Sequence, residues 1–308
     1  MSYKEKIIKD LYINNDLYEE FQRISQIKIK KFKLEKKSGG YRYIHSPDAR
    51  IKLIQYWLID NVLKSLPIHP AAYAFKKNTS ILDNAKRHSK NKYYLTIDFI
   101  DFFHSIKFID FLNFSDNYNI SKNSEIFTDE LLNIIRKFCF YNDVLPIGYT
   151  SSPIISNILM YDFDQKITEY IKQKKGVVYS RYADDIVIST NKKNESIEIY
   201  RDIKKIIYEN VNPKLLINFK KVKFLSSTSG SAYVTGLKIN PHKQVSISKK
   251  KKDHIRLLLS IYKKKGLSDE ERKSLSGHLS YIKYVEPKFY TKLQEKYFVE
   301  IDKIYKTL

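Results

Sequence analysis

Two adjacent aspartates, Asp184 and Asp185, interrupt a run of aromatic and β-branched residues in the segment SRYADDIVIST (180–190). This pattern predicts two short strands with Ala183 and Asp184 at the turn between them. The two carboxylates repel each other, and a divalent cation is the simplest partner that removes this repulsion. Mg²⁺ prefers a few carboxylates together with waters and phosphate oxygens, which is the ligand set of two-metal phosphoryl transfer. A third carboxylate, Asp98, ends the apolar segment YYLTID and would complete such a cluster.

The same three aspartates also have a less specific interpretation. An Asp-Asp pair is frequent in ordinary polar turns, and an aspartate after a strand often caps a helix. The dipeptide alone does not identify a metal site, so its interpretation depends on the sequence around it.

The composition favours a polyanionic partner. The 308 residues include 56 Lys and Arg against 34 Asp and Glu, a net charge of +22, together with 25 Tyr and 17 Phe. Residues 241–308 carry +9 of this charge and the first 240 residues carry +13. This spread indicates a charged channel rather than a single basic arm. The length suits about two domains, or one large one, and is sufficient for an enzyme.

The cysteine content and the N-terminus indicate the compartment. Cys139 is the only cysteine, which excludes an intrachain disulfide and a zinc site made of several cysteines and indicates a reducing environment. The first 15 residues are too charged for a signal peptide, and no apolar run approaches the roughly 18 residues that a membrane span needs. We therefore expect a cytoplasmic protein without membrane contact.

Hydrophobic periodicity and turn residues predict a chain of mixed helices and strands. The predicted elements are helices within 3–26, a hairpin over 31–48 with its turn at Gly39-Gly40, a long helix after Pro47, a short helix over 80–88, a strand over 93–99, helices over 125–140 and 152–173, two strands flanking Ala183-Asp184, a helix over 194–209, a strand pair near 214–247 and a basic helical tail. No repeat or low-complexity linker separates these elements.

Three segments together resemble the polymerase motifs of reverse transcriptases. LTIDFIDFFHSI, which contains Asp98, is similar to the first motif, and YADD at 182–185 is similar to the third. Between them, LPIGYTSSPIISN (145–157) resembles the second motif, which typically reads Leu-Pro-Gln-Gly followed by Ser-Pro and Asn. Ile147 replaces that glutamine, which removes any contact made through its side chain but leaves the close backbone approach that glycine permits. The matching residues are Gly148, Ser152, Pro153 and Asn157.

The resemblance implies an α+β right-hand polymerase. Its fingers would lie within 1–90, with part of them interleaved in the palm. The palm, an antiparallel sheet carrying the YADD hairpin, would occupy 91–240, and a basic helical thumb 241–308. Asp98, Asp184 and Asp185 would hold two Mg²⁺ ions with the incoming deoxynucleoside triphosphate. The main-chain carbonyl of Phe99 would complete a coordination shell.

The resemblance also implies residues that bind the nucleotide. In the upstream segment GGYRYIHSP, Arg42 and the pair Lys36-Lys37 are placed to meet a triphosphate. Gly148 would let the backbone approach the same nucleotide. These residues belong to the fingers and to the second motif.

Two further side chains have both a functional and a structural interpretation. Phe103 occupies the position where the family places a ring that excludes the ribose 2′-hydroxyl, but it could equally be a core aromatic. Lys220 or Lys221 would protonate the leaving pyrophosphate, although either could be a solvated surface charge.

Two short segments resemble the signatures of retron reverse transcriptases. NAKRH precedes the first motif with Asn84 and His88, and VTG follows the third motif with Val234, Thr235 and Gly236. A cationic histidine near a helix C-terminus is also favourable for structural reasons, and VTG also suits an ordinary strand end. Both signatures in this order around complete polymerase motifs indicate the retron type.

The retron resemblance implies a particular substrate and set of partners. Such enzymes bind their own structured non-coding RNA, prime from the 2′-hydroxyl of an internal guanosine, and make a short single-stranded DNA (msDNA) joined to that RNA. They usually act in antiphage defence with an effector protein, while host RNase H trims the template. The tail would contact RNA phosphates through lysines that include Lys249, Lys250 and Lys251, or these lysines would form a solvated face.

Two alternatives remain open at this point. One is a group II-like or other defence reverse transcriptase that uses another RNA. The other is an RNA-binding scaffold that keeps the fold without catalysis. The three aspartates favour an active enzyme, because a scaffold does not need them.

Overall fold

The computed structural model describes residues 1–25, 28–36, 39–123, 125–230 and 232–306. The α-helices are α1 (Tyr3–Asp10), α2 (Asn15–Ile24), α3 (Ala49–Asn61), α4 (Ile81–His88), α5 (Phe102–Ser105), α6 (Phe108–Lys122), α7 (Asp129–Cys139), α8 (Ser152–Leu159), α9 (Tyr161–Lys172), α10 (Glu195–Glu209), α11 (Lys249–Lys265), α12 (Asp269–Val285) and α13 (Pro287–Lys306). The strands are β1 (Ile29–Glu35), β2 (Tyr41–Pro47), β3 (Tyr93–Asp98), β4 (Val178–Tyr182), β5 (Asp185–Thr190), β6 (Lys223–Ser226), β7 (Tyr233–Val234), β8 (Leu237–Ile239) and β9 (Val245–Ser246).

Several helices begin at a polar residue that caps the first turn. The Ser80 side chain accepts a hydrogen bond from the backbone N–H of Asp83 and starts α4. Ser268 and Glu271 form a reciprocal capping box at the start of α12. Such caps satisfy backbone donors that have no partner inside the helix. They are local in sequence, which is why the start of α4 agrees with the predicted helix over 80–88.

The central sheet has four antiparallel strands in the order β4-β5-β3-β6. Strands β4 and β5 form the predicted hairpin, and the two-residue connection is Ala183-Asp184. Strand β3 pairs with β5 so that Asp98 lies directly opposite Asp185. The sheet therefore carries acidic residues at the adjoining ends of its two central strands.

The two faces of this sheet are covered by different hydrophobic cores. Ile186 and Ile188 of β5 face a core that includes helices α1–α3 and α6–α10. Val187, which lies between them and points the opposite way, faces a second core together with Tyr94 of β3. The second core contains residues of α4, β7, β8 and α11–α13 and begins in the C-terminal part of the chain at Ala232.

The structure confirms most of the predicted elements and corrects two regions. The predicted strand pair near 214–247 is wrong, because that region contains four strands in two sheets: β6 joins the central sheet, while β7, β8 and β9 form a separate three-stranded sheet. Helix α6 was not predicted, since FIDFLNFSDNYNISK mixes aromatic residues with Asn, Ser and Asp, which have low helix propensity. Within the described ranges, the structure has no helix long and apolar enough to cross a membrane.

Candidate active site

The end of β3 and the turn before β5 bring the three predicted aspartates into one cleft. Asp98 is almost fully buried, and its backbone carbonyl accepts a hydrogen bond from the N–H of Asn218 at 2.8 Å. The Lys221 Nζ atom donates to Asp98 Oδ1 at 3.0 Å and to Oδ2 at 2.9 Å. Asn218 Nδ2 lies 3.3 Å from Asp98 Oδ1. The segment just before β6 thus supplies a cation and an amide to the Asp98 carboxylate.

The other two carboxylates are electrostatically destabilised as anions. Asp185 is accessible to solvent but recessed in the cleft, and loss of hydration together with the charges of Asp184 and Asp98 raises its pKa to about 6. Loss of hydration is also the largest cause that raises the pKa of Asp184, and the Asp98 charge adds to it. Lys221 and Arg42 act in the opposite direction on Asp184. The cleft therefore holds more negative charge than its own cations neutralise.

This donor set fits a divalent cation of the kind that reverse transcriptase motifs imply. In the part of the chain that the structure describes, no three acidic, histidine or cysteine side chains already converge closely enough to hold a metal ion by themselves. Asp98 and Asp185 nevertheless face each other across paired strands, and Asp184 is adjacent in the turn. Loss of hydration and neighbouring negative charge raise the pKa values of Asp184 and Asp185, and a bound Mg²⁺ ion would stabilise such carboxylates as anions.

A buried network holds the turn that carries Asp184. Ala183 has a φ of 55°, a left-handed conformation that costs a non-glycine residue about 1–2 kcal/mol. Arg181 Nη1 donates to the Ala183 carbonyl and to Asn157 Oδ1, both at 3.2 Å. The Arg181 guanidinium also forms a fully buried ion pair with Asp164, with 2.7 Å between Nη2 and Oδ2. The strained turn is thus fixed by a network that spans β4, α8 and α9.

The second motif docks the β1–β2 hairpin against the cleft. The His45 backbone N–H donates to the Ile147 carbonyl at 2.7 Å. Gly148 has a φ of 109°, and a Cβ atom at this position would lie 2.5 Å from the His45 carbonyl oxygen. Only glycine fits this approach. The hairpin carries Arg42, which is exposed and close enough to lower the pKa of Asp184.

The aromatic residues that follow Asp98 pack against one another. Phe99 is buried and stacks on Phe102, with 6.1 Å between ring centroids. Phe103 is only half-buried, because Phe102 fills the core beside it at 5.4 Å between centroids. On its other side Phe103 meets Phe75 at 6.3 Å. This arrangement leaves part of the Phe103 ring free for contact with a ligand.

A cleft of about 240 Å³ joins the aspartates to one of the two retron signatures. Its lining includes Asp98, Asp185 and Lys221, and also Thr235 and Gly236. The structure therefore brings VTG next to the carboxylates. A larger cleft of about 460 Å³ is lined by basic and apolar residues without a carboxylate, so it has no groups for metal-assisted chemistry.

The other signature residues are buried in this structure, and their link to RNA choice remains a prediction. Asn84, His88 and Val234 have almost no accessible surface. The two ring nitrogens of His88 lie 2.8 Å from Ser189 Oγ and 2.7 Å from Ser180 Oγ. Burial lowers the pKa of His88 to about 3, so the ring is neutral near pH 7. These three residues lie inside the protein.

The remaining predicted residues lie on accessible segments. Lys249 and Lys250 are exposed at the start of α11, and Lys251 beside them lies with its Nζ atom 4.1 Å from the Tyr281 ring centroid. Lys220 lies beside Lys221 in a short 3₁₀ turn, but Lys221 is the one that reaches Asp98. Lys37 lies outside the described residues.

Sequence reasoning missed the side chains that position the site. Arg181 was detectable as a charged residue inside an otherwise apolar strand next to YADD. Asp164 and Asn218 had no such signal, since each meets its partner only through tertiary packing. Phe75 likewise gave no signal of its proximity to Phe103.

Solved structures with a similar fold include telomerases. A structure of apo telomerase from Candida tropicalis aligns over 94% of this chain and 64% of its own, with a TM-score of 0.52 and 11% identity. Telomerase from Candida albicans, in complex with a TWJ fragment of telomeric RNA, aligns over 94% of this chain and 61% of its own, with a TM-score of 0.50 and 12% identity. At this identity the similarity shows the fold, which is that of a right-hand nucleic-acid polymerase.

Sequence comparison defines the family. The model of the family described as reverse transcriptase (RNA-dependent DNA polymerase) matches residues 34–258. The retron Ec73 reverse transcriptase of Escherichia coli is 46% identical over 279 residues, covering 88% of each chain. The retron Ec83 reverse transcriptase of the same species is 32% identical, covering 87% of this chain and 86% of its own. The chain belongs to the reverse transcriptase family and is an RNA-directed DNA polymerase of the retron type.

Proposed function

We propose that this enzyme copies part of its own structured non-coding RNA into a short single-stranded DNA, msDNA, starting from the 2′-hydroxyl of an internal guanosine. The observation that carries the proposal is the register that places Asp98 opposite Asp185, with Asp184 in the adjoining turn. The similarity to retron reverse transcriptases supports the RNA substrate and the priming mode. The proposal includes a role in antiphage defence.

Each residue of the cleft has a separate task in this proposal. Asp98, Asp184 and Asp185, with the Phe99 carbonyl, would hold two Mg²⁺ ions. When bound, the ions would lower the pKa of the primer hydroxyl and stabilise the leaving pyrophosphate. Lys221 would leave Asp98 and donate a proton to the pyrophosphate. Its Nζ atom lies 2.9–3.0 Å from the Asp98 carboxylate oxygens, which supports this role because it places the ammonium group in the catalytic cleft.

Residues around the carboxylates would bind and select the deoxynucleoside triphosphate. Arg42 and Lys37 would meet the triphosphate from the hairpin, and Gly148 would let the backbone of the second motif approach the nucleotide. The half-buried ring of Phe103 would exclude a ribose 2′-hydroxyl. In this division the fingers occupy 1–90, with part of them interleaved in the palm, and the palm occupies 91–240.

The thumb would occupy 241–308 and hold the RNA and the RNA–DNA product. Lys249, Lys250 and Lys251 would contact phosphates, which gives affinity on any RNA. Thr235 and Gly236 line the cleft beside the aspartates, which supports a role near the primer end. The further partners in this proposal are an effector protein and host RNase H, and the location is cytoplasmic.

The catalytic part of the proposal is tested with isosteric variants of the aspartates. Asp98→Asn and Asp184→Asn should abolish primer extension in Mg²⁺ while RNA binding stays within about twofold of wild type, because the two carboxylates are a small part of a basic interface. Asp116→Asn, which removes the same charge from an exposed position on α6, is the matched control. Normal extension by either active-site variant would exclude the metal cluster.

The proposal also places the choice of RNA largely in the tail from about residue 241. This is tested with a chimera that carries residues 241–308 of a related retron enzyme. It should extend an annealed primer on a generic template normally but fail to start DNA on the non-coding RNA of the parent. The ratio of the two activities is measured at matched salt, because phosphate contacts depend steeply on ionic strength. A proportional loss of both activities would show instead that the thumb is a general clamp.

A further inference from the structure

The loop between α3 and α4 is tied to the catalytic hairpin by its backbone. The Arg181 N–H donates to the Ala71 carbonyl and the Tyr73 N–H donates to the Arg181 carbonyl, both at 2.8 Å. Asn157 Nδ2 donates to the Ala74 carbonyl, also at 2.8 Å. The residues that hold the YADD turn therefore also fix the loop up to residue 74.

Phe75 follows directly and has two unfavourable features. Its φ is 57°, which is a strained conformation for a bulky aromatic residue. Its side chain is 50% exposed, although Ala74 before it is buried. Strain that the surrounding contacts hold in place is typical of functional sites. The hydrogen bonds of the loop thus hold this ring at the surface of the protein.

The Phe75 ring meets the residue proposed to select the sugar. Its centroid lies 6.3 Å from that of Phe103, with 55° between the ring planes. Phe102 contacts Phe103 in an edge-on arrangement at 5.4 Å. Phe103 thus contacts the buried Phe102 ring on one side and the half-exposed Phe75 ring on the other. Without Phe75, the Phe103 ring would have open space into which it could turn.

We propose that Phe75 is a positioning residue for sugar selection: it keeps the Phe103 ring in the place where that ring excludes a ribose 2′-hydroxyl. The inference rests on the proposed DNA polymerase function and on Phe103 as the ring that meets the sugar. It adds a second residue, on a loop outside the polymerase motifs, that sets the preference for deoxyribonucleotides over ribonucleotides.

The test measures single-nucleotide addition to an annealed primer on a generic RNA template in Mg²⁺. The readout is the ratio of kcat/KM for a deoxynucleotide to kcat/KM for the matching ribonucleotide. Phe75→Gly should lower this ratio about tenfold or more, because the Phe103 ring gains freedom to admit the hydroxyl. Phe75→Tyr keeps the ring and should keep the ratio.

If Phe75 only supported the fold, its replacement would lower the melting temperature. Glycine adopts a positive φ without strain, so Phe75→Gly should not lower the melting temperature even though it changes selectivity. Tyr12→Gly is the matched control, since Tyr12 is another exposed aromatic residue with a positive φ, 53°, between α1 and α2. This control should leave the selectivity ratio unchanged.

The double variant shows whether Phe75 acts through Phe103. If it does, Phe75→Gly combined with Phe103→Ala should select no worse than Phe103→Ala alone, whereas independent effects would multiply. Two outcomes would overturn the inference about Phe75 but not the proposed function, provided that the wild type makes DNA and discriminates. One is that the losses of selectivity in the two single variants multiply in the double variant. The other is that Phe75→Gly leaves the selectivity ratio unchanged. A wild-type enzyme that makes no DNA would overturn the proposed function as well.

Discussion

Replacing His88 should change how the stability of this enzyme depends on pH. His88 is fully buried between the two hydroxyl groups of Ser180 and Ser189, and burial, with a smaller effect of the Arg87 charge, lowers its pKa from 6.5 to about 3. The unfolded chain takes up a proton on this side chain below pH 6.5, whereas the folded chain does not until about pH 3. Protonation therefore favours the unfolded state between these values, and the free energy of unfolding falls as the pH decreases.

The size of the effect follows from the two pKa values. For a pKa of 6.5 in the unfolded state and about 3 in the folded state, His88 alone should lower the free energy of unfolding by about 2 kcal/mol between pH 7 and pH 5. Burial also lowers the pKa of His45, His69 and His104, whereas the raised pKa of Asp185 acts in the opposite direction over this interval, so the pH dependence of the wild-type protein combines several groups. A His88 variant isolates the contribution of this one residue to the pH dependence of the free energy of unfolding.

The measurement is urea denaturation of wild type and His88→Gln at pH 7 and pH 5. Glutamine is neutral at both values, so the variant should lose about 2 kcal/mol less than wild type over this interval, whatever its absolute stability. His242→Gln, which replaces an exposed histidine, is the control and should keep the wild-type difference. Equal pH differences in His88→Gln and wild type would refute the interpretation of His88 as a buried neutral histidine.

Two further predictions concern the packing around the cleft. Asp164→Asn should lower the free energy of unfolding at pH 7 by about 3–5 kcal/mol, because it leaves the Arg181 guanidinium buried without its counter-charge. If urea denaturation shows a loss below about 1 kcal/mol, Arg181 finds another partner in the variant. Gly148→Ala should raise KM for the deoxynucleotide and lower the melting temperature, because the new Cβ would lie 2.5 Å from the His45 carbonyl oxygen and force the hairpin away from the cleft. Wild-type values for both quantities would show that the hairpin does not need this close approach.

Much of the fold was predictable because its signals are local. The turn at Gly39-Gly40, where both residues have a positive φ, and the Ser80 cap of α4 depend on residues a few positions apart. The YADD hairpin was predicted for the same reason, with its alternating strands and a two-residue connection. The motifs also identified the family and the enzyme class correctly, while the roles of the individual site residues remain predictions.

The sequence by itself determined which chemical groups are present and in which local elements they lie: three carboxylates at strand ends, a basic chain and two signatures. Only the tertiary structure decided which of these groups meet. It placed Asp98 opposite Asp185, brought Lys221 onto Asp98 and buried His88 against two strands. The physical reason is that periodicity and turn chemistry act over a few residues, whereas these contacts arise when strands and helices far apart in the chain bury their apolar faces together and leave their polar ends at one cleft.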